Sequence, residues 1–397
     1  MTNRIHFAFM CTGHFFSHLF MLIFATVAAL SLSQEWEMSY AELIPYATPG
    51  FVAIGVCALP AGWIADKWSR KGMMVLFFLG IGLSSIFASF AKTPIQISLG
   101  LLAIGVFAAI YHPVGISLVV QGRKTTGIPL ALNGVFGNMG VAGAALITGF
   151  LIDRAGWRSA FVSPGVASVI IGTAYAGFLY ATRNSEASAA GGDRTNDKPS
   201  DAPSVDRRIV GRVFAIIFFS TAVGGLIFQS TTFALPKIFD ERLAGLAMSA
   251  TVVGWYAFIV FAFAAVGQLV VGYLLDRYSV RAVFSLVAAL QAGFFGAMPG
   301  LSGVNALMIS MAFMLAVFGQ IPINDVLISR FTQSEWRSRA YAFRYILTFS
   351  VSASSIPFIA WIHGRWGFDS LFFVLSGAAV LIFLSVMLLP RGLSGKR

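Results

Sequence analysis

Charge is scarce in this chain, and acid is scarcer than base. Asp, Glu, Lys and Arg make up 11% of the 397 residues, against roughly 25% in an ordinary soluble domain. With 57% of the residues hydrophobic, a water-soluble fold would expose large apolar areas, so the bilayer is the natural solvent. Cysteine is nearly absent: Cys11 and Cys57 are the two, both inside apolar runs, which excludes a disulfide framework and a cysteine-based zinc motif. No small-x-small cleavage site follows the first apolar run, which is therefore expected to stay as a helix. The parts of an active site are missing as well. No serine has a base and an acid at matched depth, no carboxylates face each other, and no glycine-rich phosphate loop joins a strand to a helix. The chain is not expected to be an enzyme or to carry a cofactor.

What is abundant is hydrophobic length. Apolar runs fall near 8–31, 44–65, 73–91, 95–120, 127–152, 159–181, 211–235, 251–275, 282–301, 304–328, 341–363 and 369–389. Each has the roughly 20 residues that a helix needs to cross the hydrocarbon, which predicts about twelve spans.

The net charge of +11 raises the question of nucleic acid, and its distribution answers it. With the N-terminus placed in the cytoplasm, twenty-one of the 27 Lys and Arg fall on the inner side. Lys92, Arg154, Arg158, Lys237, Arg242 and Arg365 fall outside. That bias orients membrane helices and puts both termini inside. The basicity is topological, no nucleic-acid partner is expected, and the destination is a bacterial-type inner membrane.

The chain also repeats itself. Gly62, Asp66, Arg70 and Lys71 form a charged turn between the second and third runs, and Gly272, Asp276, Arg277 and Arg281 restate it about 210 positions later. Ser39 answers to Ser249, Pro113 to Pro322, and the stretch from Gly156 to the stretch from Gly367, at offsets of 209 to 211. Two halves in the same orientation are the parallel-repeat arrangement of one large class of secondary transporters. The domains expected are 1–183, a polar linker at 184–209 rich in small, charged and proline residues, and 210–397.

Polar groups inside the spans are few, and each is costly there unless it faces a cavity or a partner. His14 and His18 lie four residues apart on one helical face, and an unperturbed imidazole titrates near pH 6.5, so the pair is suited to carry protons. The alternative is that one or both bond a neighbouring helix. Tyr111-His112-Pro113 places another imidazole beside a proline that frees backbone carbonyls. Asn133 and Asn138 sit among glycines whose spacing suits close helix packing. In the second half Gln229 heads a Gln-Ser-Thr-Thr cluster whose hydroxyls are expected to bond their own helix. Gln320, Asn324 and Asp325 flank Pro322, and Arg344 on the next span is at a compatible depth to pair with Asp325. Met308, Met311 and Met314 recur at spacings of three, either as gap-filling core or, with Cys11 and the histidines, for soft metals.

The glycine–acid–basic turn with its second copy resembles the signature of the major facilitator superfamily, over essentially the whole chain. Within it His14, the His112-Pro113 pair, Gly127 with Leu130-Ala131-Leu132, and Gly137-Asn138-Met139-Gly140 are similar to the fosmidomycin-resistance group of exporters. His18 stands where that group commonly has an acid, and Ala144 where it has a proline. The resemblance implies an all-α membrane protein of two six-helix pseudo-symmetric bundles around a cavity lined by helices one, four, seven and ten. It further implies a conformational latch in which Asp66 meets the positive end of a helix of the opposite half, completed by Arg70 and Lys71.

The function expected is secondary active transport of a small organic solute, coupled to protons, by alternating access of a monomer, with export favoured. The alternatives are proton-linked uptake of an organic anion, transition-metal transport, and a membrane assembly or sensing protein that moves nothing. The pathway residues expected are His14, His18, Tyr111, His112, Asn133, Gln229, Gln320, Asn324, Asp325 and Arg344.

Overall fold

The computed structural model describes residues 2–123, 125–187, 207–331 and 334–389, and side chains at 3–123, 125–183, 211–324, 326–327 and 346–389. Eleven continuous segments among them are long and apolar enough to cross a membrane. In chain order α1 is Asn3–Glu35, α2 Tyr40–Lys67, α3 Arg70–Ala88, α4 Pro94–Val120, α5 Gly127–Ala155, α6 Trp157–Arg183, α7 Gly211–Arg242, α8 Ala250–Arg277, α9 Val280–Ala297 and α10 Gly303–Asn324. The last segment, Ile346–Met387, is 42 residues long and turns at Gly367, whose φ of 74° is not helical. It is therefore two spans, α11 and α12, and the total is the twelve expected. The helices overrun their apolar runs: α10 continues helically to Phe331, and α11 begins at Ser334.

The chain divides into two compact units, Met1–Val27 with Tyr46–Pro199, and Ala28–Pro45 with Ser200–Arg397. The last turns of α1 and the connection to α2 thus group with the later helices. Most of the linker, residues 188–206, lies outside the described residues.

Both units use one packing scheme. In the first, α1 lies on α5, α2 on α4 and α3 on α6. In the second, α8 lies on α10, α7 meets α11 at Gly225 and Val351, and the Ser376 hydroxyl of α12 donates to the Ala292 carbonyl of α9 at 2.8 Å. The sequence repeat reappears in the helix ends. Ser39 and Ser249 each accept from a backbone N–H three residues on, at 3.3 and 3.4 Å. Ser69 and Ser279 do the same for α3 and α9, at 3.0 and 3.2 Å. These caps satisfy N–H groups that a helix start leaves open. Gly156 between α5 and α6 has φ 76° and ψ 168°, and its counterpart Gly367 has φ 74° and ψ −177°, a region essentially reserved for glycine that costs other residues about 1–3 kcal/mol.

In lipid, helices gain from meeting one another through close packing and interhelical hydrogen bonds, so small residues mark their contacts. At Gly105 of α4 an added methyl would run into the Gly50 backbone of α2, whereas at Gly177 of α6 it would meet nothing within 4 Å. Gly105→Ala is expected to cost about 1–3 kcal/mol, as overpacking does, while Gly177→Ala is neutral or slightly stabilising. Thermal unfolding of the two variants in detergent checks this, and equal midpoints would show that the α2–α4 contact has slack.

Candidate functional site

The first unit gathers three of the chain's five histidines at one place. His14 and His18 come from successive turns of α1, and His112 from α4; their ring nitrogens all lie within 4.8 Å of one another. The ring centroids are 5.1 Å apart for His14 and His18, 5.6 Å for His14 and His112, and 5.6 Å for His18 and His112. His14 is 9% exposed; His18 and His112 are half-buried.

Local chain geometry explains how α4 delivers His112. Tyr111–Gly115 is a π-helical turn containing Pro113. Proline supplies no N–H, and the extra residue in the turn rotates the side chains that follow. Tyr111 is thereby pushed into a slot between Gly13 of α1 and Gly115 of its own helix, where an added Cβ would come within 2.9 and 2.7 Å of its ring. Its ring stacks on His14 with centroids 4.9 Å apart.

The third wall is α5. Its Gly140 lets the backbone of Phe15 come close, and Gly137 leaves room for the His14 ring, which an added Cβ would approach to 2.6 Å. His14 Nδ1 lies 2.8 Å from the Asn133 carbonyl. A carbonyl only accepts, so Nδ1 carries the hydrogen and the lone pair of the neutral ring is on Nε2. The Asn133 side chain donates to the Tyr111 hydroxyl at 2.9 Å, and that hydroxyl donates to the Met10 carbonyl at 2.8 Å. Five of the expected pathway residues, His14, His18, Tyr111, His112 and Asn133, therefore form one constellation. Three imidazole nitrogens this close are a donor set that could also hold a metal ion.

The second unit builds the corresponding place from neutral groups. Gln291 of α9 donates to the Gln320 side chain at 2.9 Å, Gln320 donates to the Ser220 carbonyl at 3.3 Å, and the Ser220 hydroxyl donates to Asn324 at 3.3 Å. Gln320 and Asn324 also line a cavity of about 190 Å³ with Thr221, Phe228, Thr348 and Ser352. Sequence reasoning missed Ser220 and Gln291; the signal available was a polar residue inside each apolar run. Gln229 lies apart from this network, buried with its amide nitrogen lacking a partner among the described residues. Thr231 and Thr232 bond their own helix, at 2.8 and 2.7 Å. The expected Asp325–Arg344 pair falls on side chains outside the described ones.

The expected latch residues sit at the matching turns. Arg70 donates to Asp66 through Nη2 at 2.7 Å and Nε at 3.1 Å, both side chains largely exposed. Lys71 is half-buried beside them, and Gly62 lies 3.4 Å from Pro113 when given a Cβ. In the repeat, Arg277 covers the Tyr273 ring at 3.6 Å, Arg281 donates to the Leu389 carbonyl at 3.1 Å, Asp276 is exposed, and Gly272 has open space beside it.

Tyr111→Phe leaves the buried Asn133 amide without its acceptor and is expected to cost about 1–3 kcal/mol, whereas Tyr111→Phe with Asn133→Leu removes both partners and costs less than the sum of the singles. Unfolding midpoints of the three variants measure the coupling, and strict additivity would show that the two side chains do not support each other.

The Major Facilitator Superfamily model matches residues 10–247 and 217–396. A gallate transporter of Pseudomonas putida is 25% identical over 385 residues, covering 89% of this chain and 80% of that protein. The 4-hydroxybenzoate transporter of the same organism is 26% identical over 341 residues, covering 78% and 75%. In fold the chain is similar to the D-xylose–proton symporter, with a TM-score of 0.74 at 13% identity and 98% of each chain covered. It is also similar to a bacterial homologue of the human lysosomal transporter Spinster, at 0.72 and 14%, covering 98% of this chain and 95% of that one. With its twelve apolar spans, duplicated halves and matching family model, the chain belongs to the major facilitator superfamily of secondary transporters and is not an enzyme.

Proposed function

We propose that this transporter takes up an aromatic carboxylate together with protons across the inner membrane, both termini in the cytoplasm. The observation that carries the reading is the cluster of His14, His18 and His112, three titratable rings within 4.8 Å of one another inside membrane-spanning helices. Rings that close repel a second proton, so a proton and a carboxylate fit there better together than either does alone. The His14 tautomer leaves Nε2 as its proton-accepting atom. Tyr111, fully buried, stacks on His14 and holds that ring in place.

The relatives support one of the two transport directions weighed from sequence. Similarity to the fosmidomycin-resistance exporters favoured efflux by antiport. The full-length relatives carry gallate and 4-hydroxybenzoate, which are aromatic carboxylates, and that favours uptake of an organic anion. Arg344 stands in the second half where Asn133 stands in the first, at the offset of Gly156 and Gly367. We assign it, with Asp325, to the anion and proton path of that half. The two halves rock about the site, protonation and substrate together shifting which arrangement is preferred, and the Asp66 and Asp276 turns hold one arrangement.

In right-side-out proteoliposomes an acidic exterior is expected to drive accumulation of labelled 4-hydroxybenzoate. Accumulation only with an acidic interior would overturn uptake in favour of exchange export. His18→Gln is expected to abolish the pH dependence of flux while substrate exchange continues; unchanged pH dependence would remove His18 from the proton path.

A further inference from the structure

Carboxylate and proton account for one end of the substrate, and the second unit has a place for the other. Its cavity of about 190 Å³ opens between α7, α10 and α11, lined by Thr221 and Phe228 of α7, Gln320 and Asn324 of α10, and Thr348 and Ser352 of α11. Among the described residues this lining is uncharged, so what it offers a ligand is neutral hydrogen bonding. Thr221 leaves that offer open. A threonine inside a membrane helix ordinarily donates to a carbonyl of its own helix, as Thr231 and Thr232 do at 2.8 and 2.7 Å. Thr221 does not: it is 4% exposed, and its hydroxyl has no hydrogen-bond partner among the described residues. The amides beside it are half committed. Gln320 accepts from Gln291 and donates to Ser220 with one of its two amide hydrogens. Asn324 accepts from Ser220 through Oδ1, which leaves its own amide hydrogens over.

A group that gives one hydrogen bond and takes another suits such a lining, and a hydroxyl does both. The first unit meets the same need with its own side chain. There the Tyr111 hydroxyl accepts from the Asn133 amide at 2.9 Å and donates to the carbonyl of Met10 at 2.8 Å, three residues before Gly13. Thr221 stands three residues before Gly224, and Gln320 follows Tyr111 at the offset of Pro322 from Pro113. Gln320 rests on Gly224, as Tyr111 rests on Gly13, but a glutamine has no ring, and the cavity opens beside it. An apolar cavity of about 150 Å³ takes up benzene, so 190 Å³ has room for one substituted ring. Phe228 is held in the wall by Phe318, their ring centroids 5.4 Å apart.

We propose that this cavity reads the ring hydroxyl of a phenolic carboxylate, the hydroxyl donating to Thr221 and accepting from the amide of Gln320 or Asn324, with the ring against Phe228. Resting on the uptake reading, the assignment adds a selectivity to it. A hydroxylated ring is preferred to a bare one, because a ring without the hydroxyl leaves Thr221 and the amides unpaired on a buried surface.

The full-length protein in neutral detergent is titrated by calorimetry with three ligands: 4-hydroxybenzoate; 4-methylbenzoate, which keeps the shape without the hydroxyl; and phenol, which lacks the carboxylate. The parent is expected to bind 4-hydroxybenzoate about tenfold more tightly than 4-methylbenzoate. Thr221→Val is expected to bring the two within about threefold of each other, with 4-methylbenzoate bound as in the parent. Thr221→Ser, which keeps a hydroxyl, is expected to keep the preference. If Thr221→Val does not fold, the parent's own ranking decides, and 4-methylbenzoate bound as tightly as 4-hydroxybenzoate overturns the proposal. A preference that survives unchanged in Thr221→Val overturns it too, since the hydroxyl is then read elsewhere; in both cases the uptake reading stands on its flux measurements. Failure of the uptake reading looks different: neither carboxylate binds, while phenol binds the parent and not Thr221→Val, which upholds the cavity's role. Binding of none of the three overturns the proposal.

Discussion

In hydrocarbon a polar group must find its partner inside the protein, because no water is there to replace it. That constraint organises both units. Ser85 and Ser168 donate to carbonyls of neighbouring helices at 2.7 and 2.8 Å, and glycines at the contacts bring backbones near enough for such bonds to form. The histidine cluster is the extreme case. His14 is held by a carbonyl of α5, Tyr111 by a carbonyl of α1 and an amide of α5, and the rings stack on one another. These partners fix the orientations of the His14 and Tyr111 rings.

The two halves solve one geometric problem with different chemistry. In the first, Tyr111 fills the slot beside Gly13 and donates to Met10. In the second, Gln320 fills the slot beside Gly224 and donates to Ser220. Gln320 follows Tyr111 at 209, the offset of Pro322 from Pro113 on the same helices, so these two side chains stand at one repeated position. One copy surrounds its slot with imidazoles and the other with amides and hydroxyls. The amides bind without titrating at any ordinary pH, so among the described side chains the duplicated scaffold confines its titratable groups at this level to one half.

Much of this was legible in the chain itself. Span number follows from the length of the apolar runs, since a bilayer demands a fixed rise per helix. The duplication follows from the recurrence of Gly62 and Asp66 at Gly272 and Asp276, and of Gly156 at Gly367, where the backbone needs a positive φ twice. The pairing of His14 with His18 follows from a spacing of four on one helix. Two kinds of information were missing from those patterns. One is partnership across helices: nothing in the spacing of Ser220, Gln291 and Gln320 announces a hydrogen-bonded set, because hydroxyl and amide residues in apolar runs more often bond their own helix or fill space. The other is where a side chain is aimed, as with Tyr111, which the π-helical turn directs between two glycines.

The sequence by itself determined the solvent, the number of spans, the repeat and the rarity of the intramembrane histidines, because each is a property of composition or of distance along one helix. Tertiary structure decided that residues 14, 18, 112 and 133 meet, which nitrogen of His14 bears hydrogen, and that residues 221, 320 and 324 line one cavity. Those depend on the approach of α1, α4 and α5 in one unit and of α7 and α10 in the other, through contacts as small as a missing methyl group, a distance in space that no separation along the chain encodes.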